Sequence, residues 1–252
     1  MPILRDEGIL REHIVPVVPS VYQVTFRAAN LLLIVEEQLT LVDTGYNSSV
    51  PRVMELVASL NRSLDDLRLI LLTHSHFDHM GGLREIKKLT GARVACHEAD
   101  IADDGSPLPY PRPVQKALEL PPLANIRPKL GMDPADVEIR LHGGEILPVL
   151  GGLKVIHTPG HTPGSVCLLS PKHKLLIVGD ALTRHGDAVG IARKSVSTDP
   201  TQAENSVKLL LTEDFDKICF GHHLPMMENS RRRVRELAAR LRLRDMRRMR
   251  TG

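Results

Sequence analysis

The sequence predicts an α+β fold, a four-layer αββα sandwich in which two β-sheets pack together and helices cover both outer faces. Two observations predict it. Short apolar strands give way to amphipathic helical segments, and that progression occurs twice along the 252 residues, as expected of two layered halves. The composition, 42% hydrophobic and 25% charged, is that of an ordinary globular chain able to bury a core of this kind. The length suits one large domain, so residues 1–252 are read as a single unit.

The elements follow in order. Residues 14–18 (IVPVV), 20–26 (SVYQVTF), 30–36 (NLLLIVE) and 38–43 (QLTLVD) are rich in Val, Ile, Leu and Thr with polar breaks between them, the pattern of short strands. The last two, separated by little more than Glu37, form a hairpin, and DTGYN at 43–47 ends it. Val50, Val53, Leu56, Val57 and Leu60 recur at helical spacing, so 50–61 is a helix. LRLILLT (67–73) is a continuous apolar run, a strand covered on both faces. Leu83, Ile86 and Leu89 place a helix at about 80–90, stopped by Gly91. ARVACHE is the next strand.

The second half repeats the theme. VEIRL, LKVIH, SVCLL and KLLIV between 136 and 178 are strands set off by Gly-Gly and Pro-Gly pairs. Asp199 and Pro200 are the cap and first turn of a helix with Ala203, Val207, Leu210 and Leu211 on one face. KICF (217–220) is a strand, and 229–249 a final helix with Val234, Leu237 and Leu241 inward. Residues 105–134 stand apart: they hold eight of the chain's 18 prolines. A long proline-rich stretch inside a domain points to a functional excursion, read here as a lid-like, substrate-facing insertion.

Charge and composition narrow the function classes. The net charge of +3 conceals an asymmetry: residues 231–250 carry ten Arg against Glu236 and Asp245, while the rest of the chain sums to −5. A basic terminal helix on a mildly acidic body, with four Phe, three Tyr and no Trp, offers little for nucleic acid. Its arginines are read as a solvated face. No apolar run approaches the ~20 residues of a membrane helix. The opening MPILRDEGIL carries Asp6 and Glu7 where a secretory signal would be apolar, so export is not expected. Cys96, Cys167 and Cys219 are odd in number and sit in apolar runs, as buried reduced thiols of a cytoplasmic protein do.

The chemistry is concentrated in Thr73-His74-Ser75-His76-Phe77-Asp78-His79, directly after the strand at 67–72. Positions i and i+2 share a face of an extended chain, so His74 and His76 can converge on one ion. Asp78 and His79 can turn toward a second, and Gly81 and Gly82 let the following helix approach closely. Imidazole and carboxylate suit zinc, iron or manganese. Three further strand ends agree: His161 in the turn HTPGHTPGS, Asp180 after KLLIV, and His222-His223 after KICF. His157, His97, His142, His173 and His185 carry no such pattern: His157 is read as structural and the others as ordinary surface or loop residues. Tyr46, Tyr110 and Arg184 can face a pocket without a catalytic role.

With these motifs in this order the chain resembles the metallo-β-lactamase-fold superfamily, over nearly its whole length and in its hydroxyacylglutathione hydrolase and lactonase-like branch. The resemblance implies two mixed sheets. It implies one metal on His74, His76 and His161, a second on Asp78, His79 and His222, and Asp180 bridging them. Asp43 would hold the loop that bears the HxHxDH box, His74 to His79. His222 is preferred to His223 on the family's Gly-His pattern, His223 standing where the family often has Gly. The implied activity is that of a dinuclear metal-dependent hydrolase: zinc is the first expectation, with iron or manganese also fitting. A metal-bridging hydroxide, oriented by Asp180, would attack an ester, thioester or lactone carbonyl, and Asp78 would receive a proton.

Within that family the bridging Asp180 argues against a β-lactamase proper, and His76 in place of Glu against the diiron flavoproteins. The stretch after Asp180, ALTRHGDAVGIARKSVSTD, lacks the basic and aromatic signature of the glutathione thioesterases and the Tyr of quorum-type lactonases. Two alternatives of the same fold are a mononuclear iron sulfur dioxygenase and a nuclease or phosphodiesterase, the latter supported by the basic tail alone. The partner expected is a small-molecule substrate, with no membrane; a homo-oligomer stays open.

Overall fold

The computed structural model describes residues 14–26, 29–101 and 137–251. The proline-rich segment 105–134, with Tyr110, lies outside the described residues. The chain divides into two compact units, Met1–His142 and Gly143–Gly252.

The first unit is built on a seven-stranded mixed sheet in chain order. Strands β1 (Ile14–Val18), β2 (Val21–Val24), β3 (Leu31–Val35) and β4 (Leu39–Val42) form an antiparallel meander. β5 (Leu67–Leu71), β6 (Arg93–His97) and β7 (Ile139–Leu141) then add in parallel. Parallel neighbours need crossovers, and helices supply the first two: α1 (Val50–Ser59) joins β4 to β5, and α2 (Phe77–Met80) with α3 (Leu83–Thr90) joins β5 to β6. Val50, Val53, Leu56 and Val57 of α1 and Leu83 and Ile86 of α3 are buried against Leu31, Leu33, Leu41 and Ile70 of the sheet.

The region expected as one helix at 80–90 is two helices broken at Gly81-Gly82. Leu89 is 37% exposed, and Thr90 takes the inward position with its hydroxyl on the Ile86 carbonyl. His97, expected at the surface, is buried at the end of β6, its Nδ1 accepting the Ala99 N–H.

The second unit holds a five-stranded mixed sheet ordered β14-β11-β10-β9-β8. Its strands are β8 (Ile146–Leu147), β9 (Leu153–His157), β10 (Val166–Ser170), β11 (Leu175–Ile177) and β14 (Lys217–Cys219). All neighbours are antiparallel except β11 and β14. A separate ribbon, β12 (Thr183–His185) and β13 (Ala188–Gly190), turns at Gly186 with φ +59°. Helix α4 (Pro200–Leu210) begins as expected: the Asp199 carboxylate accepts the Thr201 and Gln202 N–H groups. Helix α5 (Ser230–Thr251) buries Val234, Leu237 and Leu241 with Val207, Leu210, Phe215 and Phe220.

The arginines of α5 do more than face water. Arg240 donates to the Val189 carbonyl at 2.7 Å, Arg231 donates to that of Leu211, and Arg244 pairs with Glu204. The three cysteines are buried thiols, and burial pushes Cys167 up to about 12. Among the described residues no helix is long and apolar enough to cross a membrane.

Candidate metal centre

In the first unit the box hangs from the end of β5, and two buried carboxylates from neighbouring strands hold it. Asp43, one residue past β4, is 3% exposed and sits at φ +58°, a conformation that Asp adopts more readily than most residues. Its Oδ1 accepts the Thr73 N–H at 2.8 Å, and its Oδ2 accepts the Thr73 hydroxyl at 2.8 Å and His79 Nδ1–H at 2.8 Å. Asp100, just past β6 and fully buried, accepts the Ser75 N–H at 2.9 Å. The backbone between His74 and His76 is therefore fixed from both sides.

These contacts set the imidazole tautomers. An ionised carboxylate only accepts, so His79 Nδ1 carries the proton and Nε2 keeps its lone pair. Thr73 gives its one hydroxyl proton to Asp43, so toward His74 Nδ1, 3.1 Å away, it accepts. His74 Nε2 is then also a lone-pair donor. The ligand nitrogens of His74 and His76 lie within 4.8 Å of one another, as do those of His74 and His79. The His74 and His79 rings lie with centroids 4.1 Å apart and planes tilted by 50°. Asp78 Oδ2 is 3.9 Å from His79 Nε2, and its side chain is 26% exposed where that of His79 is 0%.

The glycines act as expected. A Cβ on Gly82 would lie 2.9 Å from the Thr44 carbonyl oxygen and one on Gly81 2.7 Å from that of Phe77. Tyr46 packs on Phe77 with centroids 4.7 Å apart. Burial, and then the nearby Asp78 carboxylate, push its phenol above the ordinary value.

The second unit assembles His161, Asp180 and His222. Asp180 follows β11, and its Oδ2 lies 3.4 Å from His161 Nε2 and 3.0 Å from His222 Nε2. One carboxylate oxygen thus faces two imidazole nitrogens. His161 is 2% exposed in a turn pinned from several directions. Its carbonyl accepts the Thr198 N–H and hydroxyl, the Gly160 carbonyl accepts the Asp199 N–H, and the Pro159 carbonyl accepts the Ser206 hydroxyl. Gly160 has φ +135°, and a Cβ there would lie 2.2 Å from Ala203 N. His222, on the loop after β14, is the one next to Asp180. Its neighbour His223 instead meets the Thr183 hydroxyl at 2.8 Å. Burial, then the adjoining His222 and His185, hold the His223 imidazole below its ordinary value, Asp180 acting against them.

His157 is structural, its ring on the Pro163 carbonyl at 2.8 Å, and His142 pairs with Glu98 at the surface. Reading the sequence missed Asp100 and the ribbon at 183–190. The signal for Asp100 was an acidic residue shortly after a strand, the same one that marked Asp43.

The Metallo-beta-lactamase superfamily profile matches residues 24–222. The chain belongs to this superfamily. A hydroxyacylglutathione hydrolase of Rhodopseudomonas palustris (strain BisB18) is 28% identical over 184 residues, 71% of this chain and 58% of that protein, so the match spans little more than half of the relative. The probable metallo-hydrolase YflN of Bacillus subtilis (strain 168) is 28% identical over 242 residues, 88% of this chain and 91% of that one. A metallo-beta-lactamase family protein from Thermus thermophilus superposes with TM-score 0.68 at 25% identity, covering 91% of this chain and 81% of that chain. This chain of the metallo-β-lactamase superfamily has that superfamily's α+β fold of mixed sheets and helices.

Proposed function

We propose that this chain is a metal-dependent hydrolase of an ester, thioester or lactone. Two divalent ions, zinc foremost, would be held: His74, His76 and His161 would ligate one, Asp78, His79 and His222 the other, and Asp180 would serve both. The observation that carries the reading is the donor chemistry within each unit. The contacts of Asp43 and Thr73 leave Nε2 of His79 and of His74 as lone-pair donors, and one oxygen of Asp180 faces two imidazoles. Such a donor set fits zinc, iron or manganese. The superfamily match and the names of the hydroxyacylglutathione hydrolases and of YflN support hydrolysis.

When bound, the ions would supply Lewis acidity toward the substrate carbonyl and lower the pKa of a water to roughly 7. The chain's own groups divide the remaining work. Asp43 and Asp100 hold the box rigid, so the histidines need no reorganisation. Asp180 accepts hydrogen bonds from the attacking water and aims it. Asp78, the one carboxylate of the box and partly exposed, takes up the proton released as water adds to the carbonyl. The buried thiols suit a reducing cytoplasm.

The test is metal content of the purified protein followed by turnover on a panel of lactones, thioesters and phosphodiesters. Two zinc ions per chain with lactone or thioester cleavage is the expected result. A single iron with oxygen consumption, or cleavage of phosphodiesters alone, would overturn the reading.

A further inference from the structure

We propose that Arg184, assisted by Thr183, is a positioning residue that fixes the loop carrying His222 and so presents that ring to Asp180. The inference rests on the ligand set proposed above. His222 is the most exposed imidazole of that set, its side chain 34% accessible. It sits on a loop that leaves β14 and returns at Met226, where Ile218 and Met226 exchange two backbone hydrogen bonds of 2.8 Å. A side chain in that setting has backbone and rotamer freedom to lose before it can act as a ligand.

The β12–β13 ribbon removes that freedom. Arg184 Nη1 donates to the carbonyls of Leu224 at 3.2 Å and Pro225 at 2.8 Å, while its Nε donates to the Gly186 carbonyl at 2.8 Å. The guanidinium thus spans the turn of its own ribbon and the loop just after the two histidines. Thr183, its neighbour, meets the ring of His223. Residues 223, 224 and 225 are all gripped from 183–184, directly beside His222. Among the described residues its carboxylate contact is Asp187, 4.0 Å away with an 86% exposed side chain, so the carbonyls are what the guanidinium serves. The task suits Arg and not Lys: several N–H donors lie in one rigid plane, whereas an ammonium on a flexible stem holds fewer carbonyls at once.

The experiment compares full-length wild type with Arg184→Ala and Arg184→Lys. Hydrogen exchange is followed in metal-free protein, and zinc affinity by chelator competition. Expected is exchange about tenfold faster in the peptide spanning 221–226 of Arg184→Ala, unchanged exchange in β9 and β10, and an intermediate result for Lys. One of the two zinc steps should weaken roughly 10–100-fold while the other holds. Unchanged exchange at 221–226, or acceleration spread equally over β9 and β10, would overturn the proposal. Wild type that takes up a single ion would overturn the two-ion reading instead, and the metal-free exchange would still decide the role of Arg184.

Discussion

Asp43 offers the sharpest test of how the box is held, because its two oxygens accept from three buried donors. In Asp43→Asn the backbone is undisturbed, since Asn tolerates φ +58° as Asp does. The hydrogen bonding is frustrated in either amide orientation. With NH₂ at the Oδ1 position it meets the Thr73 N–H, donor against donor. At the Oδ2 position it can donate to His79 Nδ1 only if that nitrogen gives up its proton, which moves the proton to Nε2 and removes the lone pair a metal needs. One unsatisfied buried pair costs about 1–3 kcal/mol, so Asn should destabilise the metal-free protein by about 2 kcal/mol. Asp43→Ala strips the acceptor from all three donors and adds roughly 1 kcal/mol of left-handed strain, for a loss of about 4–5 kcal/mol. Urea denaturation of the metal-free proteins measures both. Chelator competition should show zinc affinity lowered roughly 10–100-fold in Asp43→Asn. An Asn variant with an unshifted midpoint and both zinc steps intact would refute the tautomer reasoning.

Three other outcomes are expected. Asp180→Asn should keep its circular dichroism yet lose on the order of a hundredfold in zinc affinity, with turnover falling alongside; full metal loading would contradict its placement between His161 and His222. Gly160→Ala should cost about 3 kcal/mol or more, because its Cβ would press on the Ala203 backbone in a conformation that L side chains avoid; a wild-type melting curve would show that the turn yields instead. Burial draws Glu138 upward, but hydrogen bonds from Lys87 and the Val94 N–H outweigh it and hold the carboxyl below its ordinary value. Its folded value lies below the unfolded one, so its contribution is present above the ordinary carboxyl range and is lost as pH falls through the folded value. Glu138→Gln should therefore lower the urea midpoint at neutral pH and narrow its gap to wild type in acid; a gap that widens in acid would reverse that sign.

Much of the framework was legible because burial and period coincide. The run at 67–73 is β5 and its continuation, and the helical stripe at 50–57 is the buried face of α1. The box was legible because its ligand types sit at strand-end spacing. What escaped depends on contacts that residue type and hydrophobic period do not announce. Thr90 rather than Leu89 faces inward because, at about 3.6 residues per turn, it falls about two turns from Leu83 while Leu89 lies well off that face, and Thr90 can satisfy its hydroxyl on the Ile86 carbonyl. The 183–190 ribbon opens on Thr, Arg and His, with no apolar alternation to announce a strand; Arg184 reaches 40 residues along the chain for its partners. His97 is polar by composition yet buried, and the Ala99 N–H two residues away satisfies its Nδ1 there. The arginines of α5 read as a solvated face until Glu204 and the carbonyls of Val189 and Leu211 are seen beside them.

Parallel pairing explains why residues so far apart meet within each unit. Parallel neighbours end on the same edge of a sheet, so whatever follows each strand is delivered to one place. β4, β5 and β6 are consecutive parallel strands, and the residues just past them are Asp43, the box and Asp100. In the five-stranded sheet of the second unit the parallel pair is β11 with β14, in register Ile177 to Cys219. Three residues beyond each member lie Asp180 and His222, so the contact between them follows from the register. His161 has no such support: it lies between the antiparallel strands β9 and β10. It is accordingly the residue whose turn needs clamps from Thr198, Asp199 and Ser206. His222 stands between these cases. The register brings it to Asp180, but its loop continues to Met226 without a strand to stiffen it, and that is the gap the guanidinium of Arg184 closes.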